Sequence, residues 1–376
     1  MVRRRGAWLA AGATGILIAG AATVGIASAS SAAAGAPRAA QHWRIVLKAP
    51  KVSPAQQSNE GFTAVVATGK TSGWAFDGHG FGSAPTAWER TGGVWKKAAS
   101  PAGKNEFVAT AAASSPSNVW AFVNNAISFT SSRVLRWNGS KWVGVKSFGG
   151  SIWGASVLGP KDVWVYGLVP GGFQAPAVGV WHFNGSGWTR VGKNISDGSA
   201  LNDHDVWGFT QTSVEHWNGS GWAATSVKGL LPAVDPHGLN HPSVVGILAL
   251  SHGNVYAFGS ADTQDEGGPL VVLHFNGTKW SKVATGEFGY GPFYNQFSFD
   301  GSGGLWIPMN GPAGGTAFLV HYAGGKLTKA IVPVNPINLA IASVSRIPGT
   351  TQQLAGGATF NPGRGSNVDA VLLQYS

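Results

Sequence analysis

The segment 233–242 brings together residue types that suit acid–base or metal chemistry. Its sequence, AVDPHGLNHP, places Asp235, His237, Asn240 and His241 within one short stretch. An imidazole titrates near neutral pH and is a common metal ligand, and a nearby carboxylate supplies an acid, a base or a further ligand. Asp235, His237 and His241 are therefore candidate catalytic residues. The alternative is ordinary turn chemistry, which Asp-Pro and His-Pro also favour.

A second segment, GEFGYGPFYNQ at 286–296, is rich in aromatic side chains beside an amide. Exposed aromatic rings suit stacking on sugar rings, and an amide suits hydrogen bonding to hydroxyl groups. The predicted ligand-binding residues are Phe288, Tyr290, Tyr294, Asn295 and, from the first segment, Asn240. The alternative is that these aromatic residues close one end of the fold and bind nothing.

A third segment, SADTQDEGG at 260–268, carries Asp262, Asp265 and Glu266. Carboxylate oxygens are the ligands that Ca²⁺ prefers, so Ca²⁺ is the one cofactor that the sequence suggests. The alternative is a solvated acidic loop. Asp77 and His79 in DGHGFG form a fourth candidate.

Four histidines stand in equivalent places, each before an aromatic residue: His182, His216, His274 and His321. Glu89, Arg136 and Gln374 fill the same place elsewhere in the chain. A position that accepts any polar residue is typical of a strand face in solvent, so we predict no metal there.

The elements that would position these residues follow from an internal repeat. An aromatic residue in a short strand-like run recurs at intervals of 46, 44, 43, 49, 50 and 48 residues. Its seven copies are Trp74, Trp120, Trp164, Trp207, Tyr256, Trp306 and, weakened, Leu354. This period fits the four-stranded blade of a β-propeller. The sequence therefore predicts an all-β, seven-bladed β-propeller.

A second repeated element, such as HFNGSGW at 182–188, follows each aromatic strand. Asn-Gly is a strong hairpin signal, so these turns should join the third and outermost strands of a blade. The last copy stops at VLLQYS, before its turn. Trp43 in QHWRIVLKAP matches the outer-strand Trp142, so residues 42–48 should complete the last blade. Such closure leaves no open sheet edge between the first and last blades.

The predicted organisation is a signal peptide at 1–36, a short linker at 37–41 and a single propeller domain at 42–376. Arg3, Arg4 and Arg5 precede an apolar stretch rich in small residues, with A-x-A cleavage patterns after it. The alternative is an uncleaved N-terminal anchor. No second long apolar run follows, so we expect no membrane span after cleavage. The expected location is extracellular or at the cell wall.

Composition limits the functional classes. The formal net charge is +10, and loss of three arginines with the signal lowers it to +7. The basic residues are scattered, which does not favour nucleic-acid binding. The chain has no cysteine, so disulfides and thiolate metal sites are excluded. It also lacks a P-loop, a dinucleotide fingerprint and a Ser-His-Asp arrangement. We expect a monomer.

The unit DVWVYG…HFNGSGW resembles the repeats of secreted bacterial β-propeller proteins, described loosely as WD40-, kelch- or galactose-oxidase-like. The resemblance covers nearly all of the chain after the signal and implies architecture without activity, since propellers host many functions. The WD40 Gly-His and Trp-Asp marks, the regular kelch Gly-Gly pairs and the sialidase Asp-box are absent. The functional expectation is a non-enzymatic binding or scaffold propeller that recognises extracellular carbohydrate or protein. The alternative is a carbohydrate-active hydrolase or lyase with its site at the channel mouth.

Overall fold

Short strands with alternating apolar residues and tight Gly-rich turns fold into four-stranded antiparallel sheets. The computed structural model describes residues 41–49, 61–78, 84–167, 178–192, 195–233, 241–262, 269–288, 297–309, 318–330, 332, 338–361 and 366–376. Within these residues there are 28 strands, grouped in seven sheets. The seven-bladed β-propeller predicted from the repeat is confirmed.

The strands of the first three blades run in chain order from the inside of the ring outwards. Blade 1 comprises β2 (Gly61–Ala67), β3 (Gly73–Gly78), β4 (Thr86–Thr91) and β5 (Val94–Ala98). Blade 2 comprises β6 (Glu106–Ser115), β7 (Asn118–Asn125), β8 (Ser131–Trp137) and β9 (Trp142–Gly149). Blade 3 comprises β10 (Gly154–Gly159), β11 (Asp162–Gly167), β12 (Gly179–Phe183) and β13 (Trp188–Gly192).

The next three blades repeat this order. Blade 4 comprises β14 (Asp197–Asn202), β15 (Asp205–Phe209), β16 (Ser213–Trp217) and β17 (Trp222–Ser226), followed by a 3-10 turn at Lys228–Leu230. Blade 5 comprises β18 (His241–Ser251), β19 (Asn254–Asp262), β20 (Leu270–Phe275) and β21 (Trp280–Gly286). Blade 6 comprises β22 (Ser298–Phe299), β23 (Leu305–Met309), β24 (Phe318–Ala323) and β25 (Lys326–Ala330).

Blade 7 joins the two ends of the ring. It comprises β26 (Asn338–Arg346), β27 (Gln353–Asn361), β28 (Ser366–Tyr375) and, as its outermost strand, β1 (Trp43–Lys48). Trp43 lies opposite Tyr375, as Trp142 lies opposite Trp137 in blade 2. The predicted closure by the N-terminal strand is therefore confirmed, down to its register.

The core lies between blades. In the described residues the buried apolar side chains form seven clusters, one at each blade interface. Trp74 of blade 1, for example, meets Trp137 and Trp142 of blade 2 with ring centroids 4.8 and 5.1 Å apart. Each large ring removes much apolar surface from water, which explains why a chain without disulfides keeps so many tryptophans.

The two ends of the ring differ in their connections. We call the turn face the end that carries the inner hairpins and the Asn-Gly turns, such as Asn138-Gly139. The loop face is the opposite end, where inner strands such as β10 and β14 begin. At the turn face, Asn138 Oδ1 accepts hydrogen bonds from the amides of Ser140 and Lys141, and Gly139 adopts a φ of 96°. The predicted Asn-Gly turns between third and outer strands are confirmed.

Among the described residues, no helix is long and apolar enough to cross a membrane. The predicted signal peptide at 1–36 lies outside the described residues.

Candidate functional site

A cavity of about 250 Å³ lies on the channel side of the inner strands. Residues of β6, β10, β14 and β18 wall it, and Phe297 of blade 6 closes one side. Its polar side chains are those of Thr110, Ser156, Asp197 and Ser199. Four adjacent blades thus contribute to one recess, and its walls are the innermost strands of those blades.

Asp197 is the one titratable residue among the described residues that line this cavity. It is the first residue of β14, at the loop face, and only 4% of its surface is exposed. Burial raises the pKa of its carboxyl to about 8, although a hydrogen bond from the Gly198 amide acts in the opposite direction. A carboxyl with this pKa is mainly protonated at neutral pH and can donate a hydrogen bond as well as accept one.

The sequence permits this carboxyl because the neighbouring blade has a glycine beneath it. A Cβ on Gly154 would lie 1.6 Å from Asp197 Oδ1, so any other residue at 154 would displace the carboxyl. On the far side of the recess, a Cβ on Gly246 would lie 1.9 Å from the Phe297 ring. Phe297 in turn stacks on Phe258 with ring centroids 3.8 Å apart. Two glycines therefore create the space that the carboxyl and the ring occupy.

The strand register shows how exceptional Asp197 is. It pairs with Phe209, two residues after the repeat aromatic Trp207. In the five other blades where the structure describes this register position, its residue is small and uncharged: Ala64, Thr110, Gly154, Gly246 and Ser343. Asp197 therefore places a carboxyl where those blades have a small side chain or none.

Ser156 and Ser199 have a second role beside lining the cavity. The Ser156 hydroxyl accepts a hydrogen bond from the amide of Ala200 in the next blade, at 3.1 Å. The Ser199 hydroxyl does the same for Ala249, also at 3.1 Å. These bonds join inner strands across blade boundaries and hold the cavity walls in place.

The sequence prediction that the repeated histidines face solvent is wrong in three blades. His182, His216 and His321 are partly buried and stack on Trp164, Trp207 and Trp306, with centroids 4.2, 4.3 and 4.4 Å apart. Each imidazole also bonds a carboxylate, from Asp162, Asp205 or Asp300, at 2.9, 2.8 and 2.8 Å. His274 bonds Asn254 in the same manner. These histidines hold the turn face of their blades together.

Most of the residues proposed from sequence lie outside the described residues: His79, Asp235, His237, Asn240, Asp265, Glu266, Tyr290, Tyr294 and Asn295. The roles suggested for them stay predictions.

The remaining sequence candidates lie in described strands or beside them. His241 is exposed and begins β18, and it lies opposite Asp262, the last residue of β19. The first and third sequence segments therefore adjoin the same end of one hairpin, at the loop face. Phe288 is half-buried, with its ring centroid 5.9 Å from that of Phe318. Asp77 is buried in β3.

Comparison with known proteins supports the architecture. No family model and no curated protein matches the chain. Among solved structures, YCF48 bound to a D1 peptide is 11% identical with a TM-score of 0.53, covering 89% of this chain and 96% of YCF48. The WD40 propeller domain of Doa1 is 10% identical with a TM-score of 0.56, covering 88% and 96%. The GH74 xyloglucanase from Xanthomonas campestris is 12% identical with a TM-score of 0.51, covering 85% of this chain and 52% of the enzyme. At such low identity the likeness shows the fold alone.

Proposed function

We propose that this chain is a non-enzymatic binding propeller that acts outside the cell. It takes a neutral hydroxyl- or amide-bearing group of an extracellular carbohydrate or protein into the cavity beside Asp197. The observation that supports this most directly is a buried carboxyl held over Gly154 in a recess that four blades wall.

The size of the recess limits what can enter it. Pockets that enclose a whole drug-sized ligand measure about 300–1,000 Å³. A cavity of about 250 Å³ is smaller than that range and suits one small group. The proposed ligand inserts one sugar unit or one side chain into this cavity.

The chemistry of the recess favours a neutral group. With a pKa of about 8, Asp197 carries a proton at neutral pH, so it does not attract a cation as an ionised carboxylate would. Its O–H can donate while its carbonyl oxygen accepts, which matches the paired donor and acceptor capacity of a sugar hydroxyl or an amide.

The same recess argues against glycoside hydrolysis. Hydrolases of this kind use two carboxyl groups on either side of the scissile bond. Asp197 is the only carboxyl among the described residues of the cavity. In the enzymatic alternative, a carbohydrate-active hydrolase or lyase, Asp235 would supply the second carboxyl, or His237 or His241 would act as the base.

Action outside the cell rests on the basic and then apolar N-terminal segment. Expression in a secreting host, followed by N-terminal sequencing of the exported chain, tests this part. We expect a mature chain that begins after Ala29 or Ala36. A chain that stays in the cytoplasm with Met1 attached would overturn it.

Binding is tested with glycan and peptide arrays, using the unaltered chain, Asp197→Ala and the control His204→Ala on the turn face. We expect Asp197→Ala to weaken binding by about tenfold or more, because a buried group of the ligand loses its hydrogen-bond partner. We expect His204→Ala to bind as before. Loss of binding only after exchange of Tyr290 and Tyr294 for Ala would move the site to segment 286–296. Cleavage of an arrayed glycan would favour the enzymatic alternative.

A further inference from the structure

The turn face holds a second group of side chains, at the interface between blades 4 and 5. Asp205 begins β15, His216 lies in β16 of the same blade, and His252 lies in the β18–β19 turn of blade 5. Their carboxylate oxygen and imidazole nitrogen atoms all lie within 4.8 Å of one another. They are the only such group of three among the residues that the structure describes.

Part of this group has a structural explanation. Asp205 Oδ1 accepts a hydrogen bond from Trp207 Nε1 at 2.9 Å. The same oxygen lies 2.8 Å from His216 Nε2, with which it is also hydrogen-bonded. Blade 3 builds the same unit from Asp162, Trp164 and His182. One carboxylate oxygen is enough for this unit, so the repeat accounts for Asp205 and His216 and leaves His252 unexplained.

His252 distinguishes the interface between blades 4 and 5 from the interface between blades 3 and 4. Its Nδ1 lies 3.0 Å from Asp205 Oδ2, the oxygen that the repeated unit does not use. The side chain is 69% exposed, so an Asp205–His252 pair by itself contributes little to stability. At the corresponding turn position between blades 3 and 4 stands Asp203, which pairs with its neighbour His204 instead.

We propose that Asp205, His216 and His252 bind a divalent transition-metal ion of the Zn²⁺ class, which links blades 4 and 5. Two imidazole nitrogens and a carboxylate oxygen are a common zinc ligand set, with solvent in the remaining position. The chain has no cysteine and therefore no disulfide, and the bound ion supplies a cross-link between the two blades.

The distances are compatible with this role. Ligand atoms around a tetrahedral ion with bonds of about 2.0 Å lie about 3.3 Å apart. Asp205 Oδ1 lies 2.8 Å from His216 Nε2 and Asp205 Oδ2 lies 3.0 Å from His252 Nδ1, and the three ligand atoms lie within 4.8 Å of one another, so small side-chain shifts bring them to this spacing. Asp205 and His216 are held by packing, with side chains 11% and 23% exposed, and Trp207 Nε1 orients the carboxylate from behind. The exposed His252 is the ligand with the most freedom to adjust.

The test is calorimetric titration of the tag-free chain with Zn²⁺, together with melting curves. We expect one Zn²⁺ per chain and a melting temperature that rises with Zn²⁺ concentration, because an ion that binds only the folded state stabilises it. His252→Ala, an exposed change that leaves the repeated unit intact, should weaken binding by about tenfold or more and remove the rise in melting temperature.

His204→Ala is the matched control, since His204 is equally exposed and also pairs with an aspartate. It should bind Zn²⁺ as the unaltered chain does. The proposal is overturned if the unaltered chain binds no Zn²⁺, if His252→Ala binds it equally well, or if His204→Ala is the variant that loses it.

Discussion

Replacing Asp197 by Asn should remove a pH-dependent loss of stability that the buried carboxyl imposes. In the unfolded chain this carboxyl has its ordinary pKa of 3.8, whereas burial raises the pKa to about 8 in the folded state. Between these values the folded chain binds one proton more than the unfolded chain. Its contribution to stability is therefore greatest at low pH and falls as the pH rises towards 8.

The magnitude follows from proton linkage. A difference of one bound proton corresponds to about 1.4 kcal/mol per pH unit. This slope decreases near pH 8, where the folded carboxyl begins to lose its proton. From pH 5 to pH 8 the free energy of unfolding should fall by about 3.5 kcal/mol through Asp197 alone. Asn has nearly the same shape and no titration, so Asp197→Asn should gain about this amount over the unaltered chain across that range.

The assay is urea denaturation of both proteins at pH 5 and pH 8, compared through their midpoints and slopes. Glu287→Gln is the control, since it makes the same carboxyl-to-amide exchange at an exposed side chain. A difference between Asp197→Asn and the unaltered chain that stays constant from pH 5 to pH 8 would refute the reasoning. So would an Asn variant that becomes relatively less stable at pH 8, since that would mean an ionised, stabilised carboxylate.

Two further predictions concern the closing strand and the glycine beneath Asp197. Trp43 is 1% exposed and contacts Trp306 and Tyr375. Trp43→Ala should therefore lower the free energy of unfolding, measured by denaturant titration, by about 3–5 kcal/mol. The control Val94→Ala, at an exposed side chain, should change it by less than about 0.5 kcal/mol. Gly154→Ala should lower the free energy of unfolding by about 1–3 kcal/mol, because the new Cβ meets the Asp197 carboxyl. Most of this cost should disappear when Asp197 is also changed to Ala. Equal costs with and without Asp197→Ala would contradict the contact.

The architecture could be predicted from sequence because its determinants are local and repeated. Each blade needs a large ring between sheets and a tight outer hairpin, and both leave marks at a constant spacing, as Trp164 and Asn184-Gly185 do. The closing strand was predictable for the same reason. Trp43 follows the outer-strand pattern, and the last copy lacks an outer strand.

The cavity could not be found by the same reasoning. The inner strand of blade 4, DGSALN, has no apolar run, so its register against the other inner strands is not evident from spacing. Only the strand pairing aligns Asp197 with Gly154 and Gly246. The carboxyl is buried by residues of a neighbouring blade, a contact between distant parts of the chain.

The contacts of the repeated histidines could not be predicted from their own position in the repeat. In blades 3, 4 and 5 the imidazole bonds the residue two places before the repeat aromatic, which is Asp162, Asp205 or Asn254. In blade 6 its partner is Asp300, six places before Trp306. These contacts cross between strands, so a polar residue at one repeat position does not indicate whether it faces solvent.

The absence of cysteine allows a direct test of the closed ring. Arg44 and Gln374 lie opposite each other in β1 and β28, where Cα atoms of paired strands are about 5.5 Å apart, within the range that a disulfide spans. The chain with Arg44→Cys and Gln374→Cys should form one disulfide under mild oxidation, seen as a mobility shift on a non-reducing gel and as a linked peptide by mass spectrometry. Arg44→Cys combined with Ser226→Cys in blade 4 should form none. Failure of the first pair to cross-link in the folded chain, or cross-linking of the second pair instead, would contradict the ring closed by the N-terminal strand.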